Sequence, residues 1–384
     1  MNLLYLSPHY PAHFMQFAKS AARHGITVMG VTDQPDECLD PELRELMAGN
    51  YRVDRLENVD QVFAAAEFYK NKFGSIDRVE SNLETWLETE AKLRTAYGAQ
   101  GIQEDEILFM KRKSLMHQVF VDANVPCANG FVVESYEQCI DAIDGKYPVF
   151  IKPDIGSGAS DTYTIRNEGD LQYFFSVKQD YDYYMEEYVQ GDIESFDGLT
   201  DQDGDIVFCT SDVFNEDIHN AVAKNDNIWY YTQREIPPEL EKYGRAVVKS
   251  AHIREKFFHI EFFKVNGKYQ ALEINMRPPG GLTTHMFNYS CDIDVYDWWA
   301  RMVAGEDPHL RFERKYYCAY VGRKYDRAYK YSHDELCRML GDKMVLSQQM
   351  NEYEWLVMGR WGYLIRSADK QDMLNMVHNI LAEA

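Results

Sequence analysis

The run His259-Ile260-Glu261-Phe262-Phe263 is followed by Glu273-Ile274-Asn275-Met276-Arg277, which puts two carboxylates, an amide and a guanidinium on what reads as one hairpin. Asn266-Gly267 supplies the turn between the runs. Pairing Ile260 with Ile274 and Phe262 with Leu272 turns one apolar face inward. The same register sets Glu261 opposite Glu273, with Asn275 and Arg277 following on that face. A tight two-residue loop alone would send the two glutamates to opposite faces, so this register requires an odd loop or a bulge near Lys268. Like charges side by side repel, and such a pair persists most readily around a cation. Oxygen ligands of this kind suit Mg²⁺, whose shell is completed by phosphate oxygens and water. On the hairpin alone, a solvated acidic strand face is the alternative.

Two further segments offer groups for an anionic nucleotide. Ile151-Lys152-Pro153-Asp154-Ile155-Gly156-Ser157-Gly158-Ala159-Ser160 ends an apolar strand with a lysine and opens a loop of small residues. Small side chains let backbone N–H groups approach an anion, and the lysine adds a point charge. The plain alternative is a solvated lysine before a turn. Met185-Glu186-Glu187-Tyr188-Val189-Gln190-Gly191 can pair its free backbone groups with a purine edge as an added strand would, or simply be a strand leading to the Gly191-Asp192 turn. Neither a Walker loop nor a G-x-G-x-x-G turn occurs.

The elements that must hold these groups alternate. Leu3–Leu6 reads as a strand, 12–24 as a helix ended by Gly25, and 26–31 as a second strand, a β-α-β opening that implies a parallel sheet. A helix at 59–73 and a strand near 76–80 continue it. Helix 111–123, strand 130–133, helix 136–143 and strand 149–152 come next. A strand-rich region then runs from 183 to about 275, interrupted by a polar stretch at 215–233. After Asp292 a helical segment and the strand 316–321 begin a smaller closing unit that ends in helix 370–384.

Length and composition narrow the classes. A chain of 384 residues with 45% apolar residues can build two or three domains with proper cores. The net charge of −22 disfavours nonspecific binding to nucleic acid or an anionic membrane. Arg311, Arg314, Lys315, Arg323, Lys324, Arg327 and Lys330 alternate with tyrosines, but charged faces on paired strands explain them more simply than a nucleic-acid surface does. Seven cysteines are scattered without a C-x-x-C pair, which points to free thiols in a reducing compartment. With no secretory signal and no membrane-length apolar run, the expected location is the cytoplasm.

Taken in order, Lys113, Lys152 with its small-residue loop, Glu186 to Gly191, and then Glu261, Glu273, Asn275 and Arg277 resemble the ATP-grasp superfamily, specifically its carboxylate–amine (amino acid) ligases. The resemblance covers roughly residues 1–300 in element order. It implies an α/β chain with an α+β ATP-grasp core. Residues 1–108 would form a Rossmann-like domain with a parallel sheet, and 109–305 a two-lobed ATP-grasp domain with a lid lobe at about 114–186. Residues 306–384 would form a small α+β unit.

By that resemblance ATP and Mg²⁺, or Mn²⁺ in its place, are the cofactors. Glu261 and Glu273 would bridge two metal ions, Asn275 would ligate the second, and Arg277 would stabilise the phosphoryl group in flight. Lys113 and Lys152 match the lysines on the α- and β-phosphates. Glu186, Glu187, Tyr188 and Val189 match the adenine hinge, and Gly156, Ser157, Gly158, Ala159 and Ser160 match the loop over the γ-phosphate. One position departs from the pattern: the ribose-binding glutamate expected two residues after the hinge glycine is Ile193, and Glu194 could substitute only through a local bulge or shift.

The implied activity is ADP-forming ligation of a small-molecule carboxylate to an amine through an acyl phosphate, with a homodimer compatible and neither nucleic acid nor membrane as partner. Carboxylation of a carrier, as in biotin carboxylase, is a second reading; that family has a glutamine–valine–glutamate run where this chain has Pro278-Pro279-Gly280-Gly281. A noncatalytic ATP-binding regulatory protein is the third. His9, His13, His285 and the tyrosines at 229–231 are candidates for the substrate cleft.

Overall fold

The computed structural model describes residues 1–156, 161–215, 225–306 and 310–384. Four strands, β1 (Asn2–Leu6), β2 (Thr27–Thr32), β3 (Gly49–Arg52) and β4 (Arg78–Glu80), form the N-terminal sheet, every pair parallel and in the order β3-β2-β1-β4. The helix Met15–Arg23 returns the chain from β1 to β2, and Gly25 takes the left-handed conformation just past its end. Helix Val59–Phe73 carries the chain across to β4 on the far side of β1. The strand order therefore reverses between β1 and β4, and the loops Ser7–Pro11 and Ser81–Glu84 leave the carboxyl ends of those two strands.

A small antiparallel sheet follows, of β5 (Gly130–Val132), β6 (Val149–Pro153), β7 (Tyr163–Ile165) and β8 (Tyr183–Glu187) in the order β5-β8-β6-β7. The helices Tyr136–Ile143 and Glu168–Val177 cover it with a core of their own that includes Ile151, Leu171, Phe174 and Met185. The helix expected over 111–123 is present as Lys113–Asp122, and a further, unexpected helix precedes it. Glu104–Lys111 and Lys113–Asp122 are separated by Arg112, whose extended backbone bridges to Ile155. That break puts Lys113 at the start of the second helix.

The third sheet takes β9 (Asp192–Thr200), β10 (Ile206–Thr210), β11 (Asp212–Phe214), β12 (Trp229–Thr232), β13 (Phe257–Val265), β14 (Lys268–Asn275), β15 (Tyr317–Arg323), β16 (Met344–Gln349) and β17 (Trp361–Ser367). Its path runs β14-β13-β9-β11-β12-β15-β17-β16, with β10 beside β9, so strands from the last seventy residues extend the same sheet. Two expectations are corrected here. Residues 183–275 also contain the helix Pro238–Ser250, started by Pro238 in its first turn, and the polar stretch 215–233 contains β12.

Alternation along β13 decides the packing. Phe258, Ile260 and Phe262 point to one face and join Phe196, Leu240 and Val247 beneath the helix Pro238–Ser250, all essentially buried. Phe257 points to the other face and meets Phe17 of the N-terminal unit, with Trp299 beside them. Each such ring contributes about 1.5–3 kcal/mol on burial. Just before β13, buried Lys256 contacts Glu80 and reaches Glu90 at 3.0 Å, while Arg94 holds Glu90 at 2.7 Å. This network pins the start of β13 to the N-terminal unit, and removing one of its partners would cost about 3–5 kcal/mol. No helix among the described residues is long and apolar enough to cross a membrane.

Candidate active site

The hairpin β13–β14 turns at Asn266-Gly267, both in the left-handed region at φ 51° and 79°, with Val265 paired to Lys268. Glu261 lies opposite Glu273 and Ile260 opposite Ile274, but Phe262 pairs with Ala271. The turn is thus the tight two-residue kind, and the compensating bulge sits at Leu272 instead of near Lys268. It restores both glutamates to one face and aims Leu272 into the adjoining cavity. Ala271 is held at this place by its N–H, which donates to the Pro126 carbonyl at 2.7 Å.

That cavity, of about 220 Å³, lies between the small and large sheets. Phe150, Lys152, Tyr184 and Glu186 face it from the small sheet and Phe263, Ala271 and Leu272 from the hairpin. Lys113, Met116 and Phe120 close one side, and Tyr188 to Gly191 form a rim. Apolar walls with a few charged groups at one end suit a flat heterocycle bearing an anionic tail. Lys113 Nζ bonds Glu273, and Lys152 Nζ lies 2.7 Å from Glu186. Burial pushes the Glu273 carboxyl up, but Lys113, with Lys152 and Arg277 in support, outweighs it and holds Glu273 below the ordinary glutamate range. Asp154, fully buried, accepts from Ser114 N–H at 2.8 Å and from Arg112 at 3.1 Å, fixing the start of the helix that carries Lys113.

The sequence candidates separate into three groups. Lys113, Lys152, Glu186, Tyr188 and Val189 line the cavity together; Glu187 also reaches it, its carboxylate accepting from Asn129 N and Nδ2 at 3.1 and 3.0 Å. Glu261, Glu273 and Asn275 share the polar face of the hairpin, and Lys113 ties that face to the cavity. Gly156 is the last described residue before the small-residue loop, and Ser157, Gly158, Ala159 and Ser160 lie outside the described residues.

Glu194 is corrected. Its neighbour across β13 is Phe262, so it faces the apolar side, where it is buried and bound by Tyr269 Oη at 2.7 Å, Lys264 Nζ at 2.8 Å and Gln233 Nε2 at 3.2 Å. No bulge turns it toward the face that carries Glu261 and Glu273, because the β9–β13 pairing is regular through this position. Arg323 and Lys324, two of the cations weighed as a nucleic-acid face, are buried donors to backbone carbonyls of Ile380 and Leu356.

Several groups at this face escaped the sequence reading. His259 Nδ1 bonds Asp197 and its Nε2 lies 3.2 Å from Glu261, while Asp197 accepts from Ser195 Oγ. Burial would lower the His259 pKa, but Asp197 and Glu261 overcome it and raise it to about 10, so the ring is a cation that steadies Glu261. Period-two alternation could have found His259, two residues before Glu261, whereas Asp197 is reached only through strand register. Arg277 also has an unforeseen partner, Glu84 of the N-terminal unit, 3.2 Å from its Nε. His13 and His285 lie with ring centroids 5.5 Å apart, and burial, with His285 adding, pushes His13 down to about 3. Gly281, at φ 62°, leaves room that a side chain would take from Met358 and Tyr230.

Among the described residues no three histidine, cysteine or acidic side chains converge as a metal cluster. Two carboxylates and an amide on one hairpin face are nonetheless an all-oxygen donor set of the kind Mg²⁺ accepts when phosphate and water complete its shell.

Residues 145–286 match the model of the ATP-grasp domain family. The chain is 24% identical over 251 residues to an L-arginine-specific L-amino acid ligase of Bacillus subtilis, a match that covers 62% of this chain and 60% of that one. The matched region thus spans less than two thirds of the curated relative. Among solved structures, an L-amino acid ligase from Bacillus licheniformis superimposes with a TM-score of 0.72 at 12% identity, covering 99% of this chain and 96% of that one. A biotin carboxylase from Campylobacter jejuni does so with a TM-score of 0.72 at 13% identity, over 97% and 89%. These structural likenesses establish a shared fold.

Proposed function

The chain carries an ATP-grasp domain, and from that premise we propose that it is an ADP-forming ligase that joins a small-molecule carboxylate to an amine through an acyl phosphate. The observation that carries the reading is the junction of two features: a cavity ending in Lys113 and Lys152, and a hairpin face bearing Glu261, Glu273 and Asn275, bound to each other through Lys113 and Glu273. The adenine of ATP would lie against Met116, Phe120 and Leu272 with its edge along the backbone of Glu186 to Val189, and Lys113 and Lys152 would take the phosphates.

Glu261, Glu273 and Asn275 would hold Mg²⁺, which neutralises phosphate charge and orients the γ-phosphoryl group. The substrate carboxylate oxygen attacks that phosphorus, the bond to the β,γ-bridging oxygen breaks, and ADP leaves. Arg277 balances charge on the moving group. The amine then attacks the acyl carbon, phosphate departs, and an amide remains. No nucleophilic side chain is required, in keeping with a site made of cations and metal-binding oxygens. The turn Pro278-Pro279-Gly280-Gly281 after Arg277 favours ligation over carboxylation of a carrier. The free state of all seven cysteines agrees with a reducing, cytoplasmic setting.

The test is ADP release from Mg²⁺-ATP across amino acids and small carboxylic acids, singly and in pairs, with mass spectrometry of products. Hydroxylamine added with the correct acid should trap a hydroxamate. Stoichiometric AMP and pyrophosphate would overturn the mechanism, because attack would then be at the α-phosphate. ATP binding without ADP formation from any pair would favour a nucleotide-binding regulator.

A further inference from the structure

Strand register lays two rows of polar side chains across the face that carries Glu261 and Glu273. One runs from Glu273 through Glu261 and Ser195 to Asp212 and Thr232, the other from Asn275 through His259 and Asp197 to Thr210. Lys113 meets the charge of Glu273, and His259 lies between Asp197 and Glu261, but Asp212 meets no cation among the described residues. Asp212 and Thr210 are fully buried, and neither carboxylate oxygen of Asp212 nor Thr210 Oγ1 has a hydrogen-bond partner among the described residues. Ser195 Oγ, which accepts from the Asp212 N–H at 3.2 Å and donates to Asp197 Oδ2 at 2.5 Å, adds a further oxygen beside the two aspartates. Orphaned oxygens sealed from solvent in this way mark the place of an ion or a water.

Burial first and Asp197 next push the Asp212 carboxyl well above the ordinary aspartate range, with His259 pulling the other way, so the place is short of positive charge. A buried carboxylate needs a counter-charge. With His259 set against Asp197, one negative charge is left over, which a monovalent ion balances and a divalent ion exceeds. We propose that Asp212, Thr210, Ser195 and Asp197 hold a monovalent metal cation, K⁺ or Na⁺, through carboxylate and hydroxyl oxygens. The ion joins β9 to β10 and β11 beside the strand that carries Glu261, and it is separate from the Mg²⁺ proposed on the hairpin. Neither nucleotide nor turnover is needed for it to bind.

Urea unfolding of the nucleotide-free protein, with a chelator of divalent ions, is followed in KCl, NaCl or tetramethylammonium chloride at one ionic strength, which holds screening constant. At about 150 mM salt, K⁺ or Na⁺ should lower the unfolding equilibrium constant roughly tenfold below its value in tetramethylammonium, the effect of an ion whose Kd is about a tenth of that concentration. The stronger of the two salts identifies the ion. Asp212→Asn, which keeps the shape and removes the charge, should abolish the difference between salts, and Thr210→Val should shrink it to within about threefold. Equal stability in all three salts overturns the proposal and makes Asp212 a neutral buried acid. A response that persists in full in Asp212→Asn also overturns it, because the ion then binds elsewhere. If Asp212→Asn does not fold, Thr210→Val decides alone, and an undiminished response in it overturns the assignment. With no substrate present, every outcome is independent of ligation.

Discussion

Lys152→Met removes one charge from the proposed phosphate cradle with little change in bulk, and the structure sets two separate magnitudes for it. Lys152 Nζ lies 2.7 Å from Glu186 Oε1, and the two side chains are only 12% and 15% exposed. Removing one partner of a fully buried pair costs about 3–5 kcal/mol, and the residual solvent access brings this to about 2–3 kcal/mol of folding stability. Nucleotide affinity falls through the lost charge-assisted bond to phosphate, about 1.5–3 kcal/mol, or roughly 10- to 150-fold in Kd. The stranded Glu186 carboxylate also repels the phosphates and moves the loss toward the upper end. Lys152→Met/Glu186→Gln separates the effects, because it removes the orphaned charge and should recover most of the stability but only part of the affinity. Calorimetric titration with Mg²⁺ and a non-hydrolysable ATP analogue reads affinity, and urea unfolding reads stability. A Kd within twofold of wild type in the single variant would refute the assignment of Lys152 to phosphate. A double variant no more stable than the single would refute the energetic reading of the pair.

Glu273→Ala should abolish turnover, by at least about a thousandfold in kcat, because the carboxylate proposed to bridge two metals is gone. ATP binding should survive through Lys152 and the hinge, and wild-type turnover in this variant would remove the metal assignment. The half-buried His13 stays neutral when folded, with its pKa depressed to about 3, but titrates near its ordinary 6.5 when unfolded. The unfolded chain therefore binds the extra proton, and stability should fall as pH drops from about 6.5 toward 3, by at most about 1.4 kcal/mol per pH unit for this one ring. His13→Gln should show a shallower acid slope in urea unfolding between pH 6.5 and 4.5, and an unchanged slope would show that the ring accepts its proton in the folded state.

Much of the architecture is written in neighbouring residues. Asn266-Gly267 sets a turn through two left-handed positions, Gly25 ends a helix, and alternation in Phe258, Ile260 and Phe262 against His259 and Glu261 sorts the faces of β13. These are choices a few adjacent residues make, and the helix Pro238–Ser250 belongs with them: Leu240, Val247 and Val248 lie at helical spacing behind Pro238, a signal hidden by reading the whole region as strands. The order of Lys113, Lys152, the hinge and the hairpin was likewise legible, because each is a short local pattern.

Other features required the folded chain. The bulge falls at Leu272 because Ala271 is bound to Pro126, far away in sequence, while the turn itself stays tight. Glu194 faces the apolar side of the sheet because unbroken pairing with β13 fixes its side and Lys264 and Tyr269 on other strands receive it. Asp197 meets His259, and Glu84 meets Arg277 across 193 positions of chain, only after the sheets assemble. A local pattern sets backbone dihedrals and which side chains alternate, whereas the partner of a charged side chain is set by which distant strand packs beside it, an energy shared among dozens of core contacts that no short stretch of sequence contains.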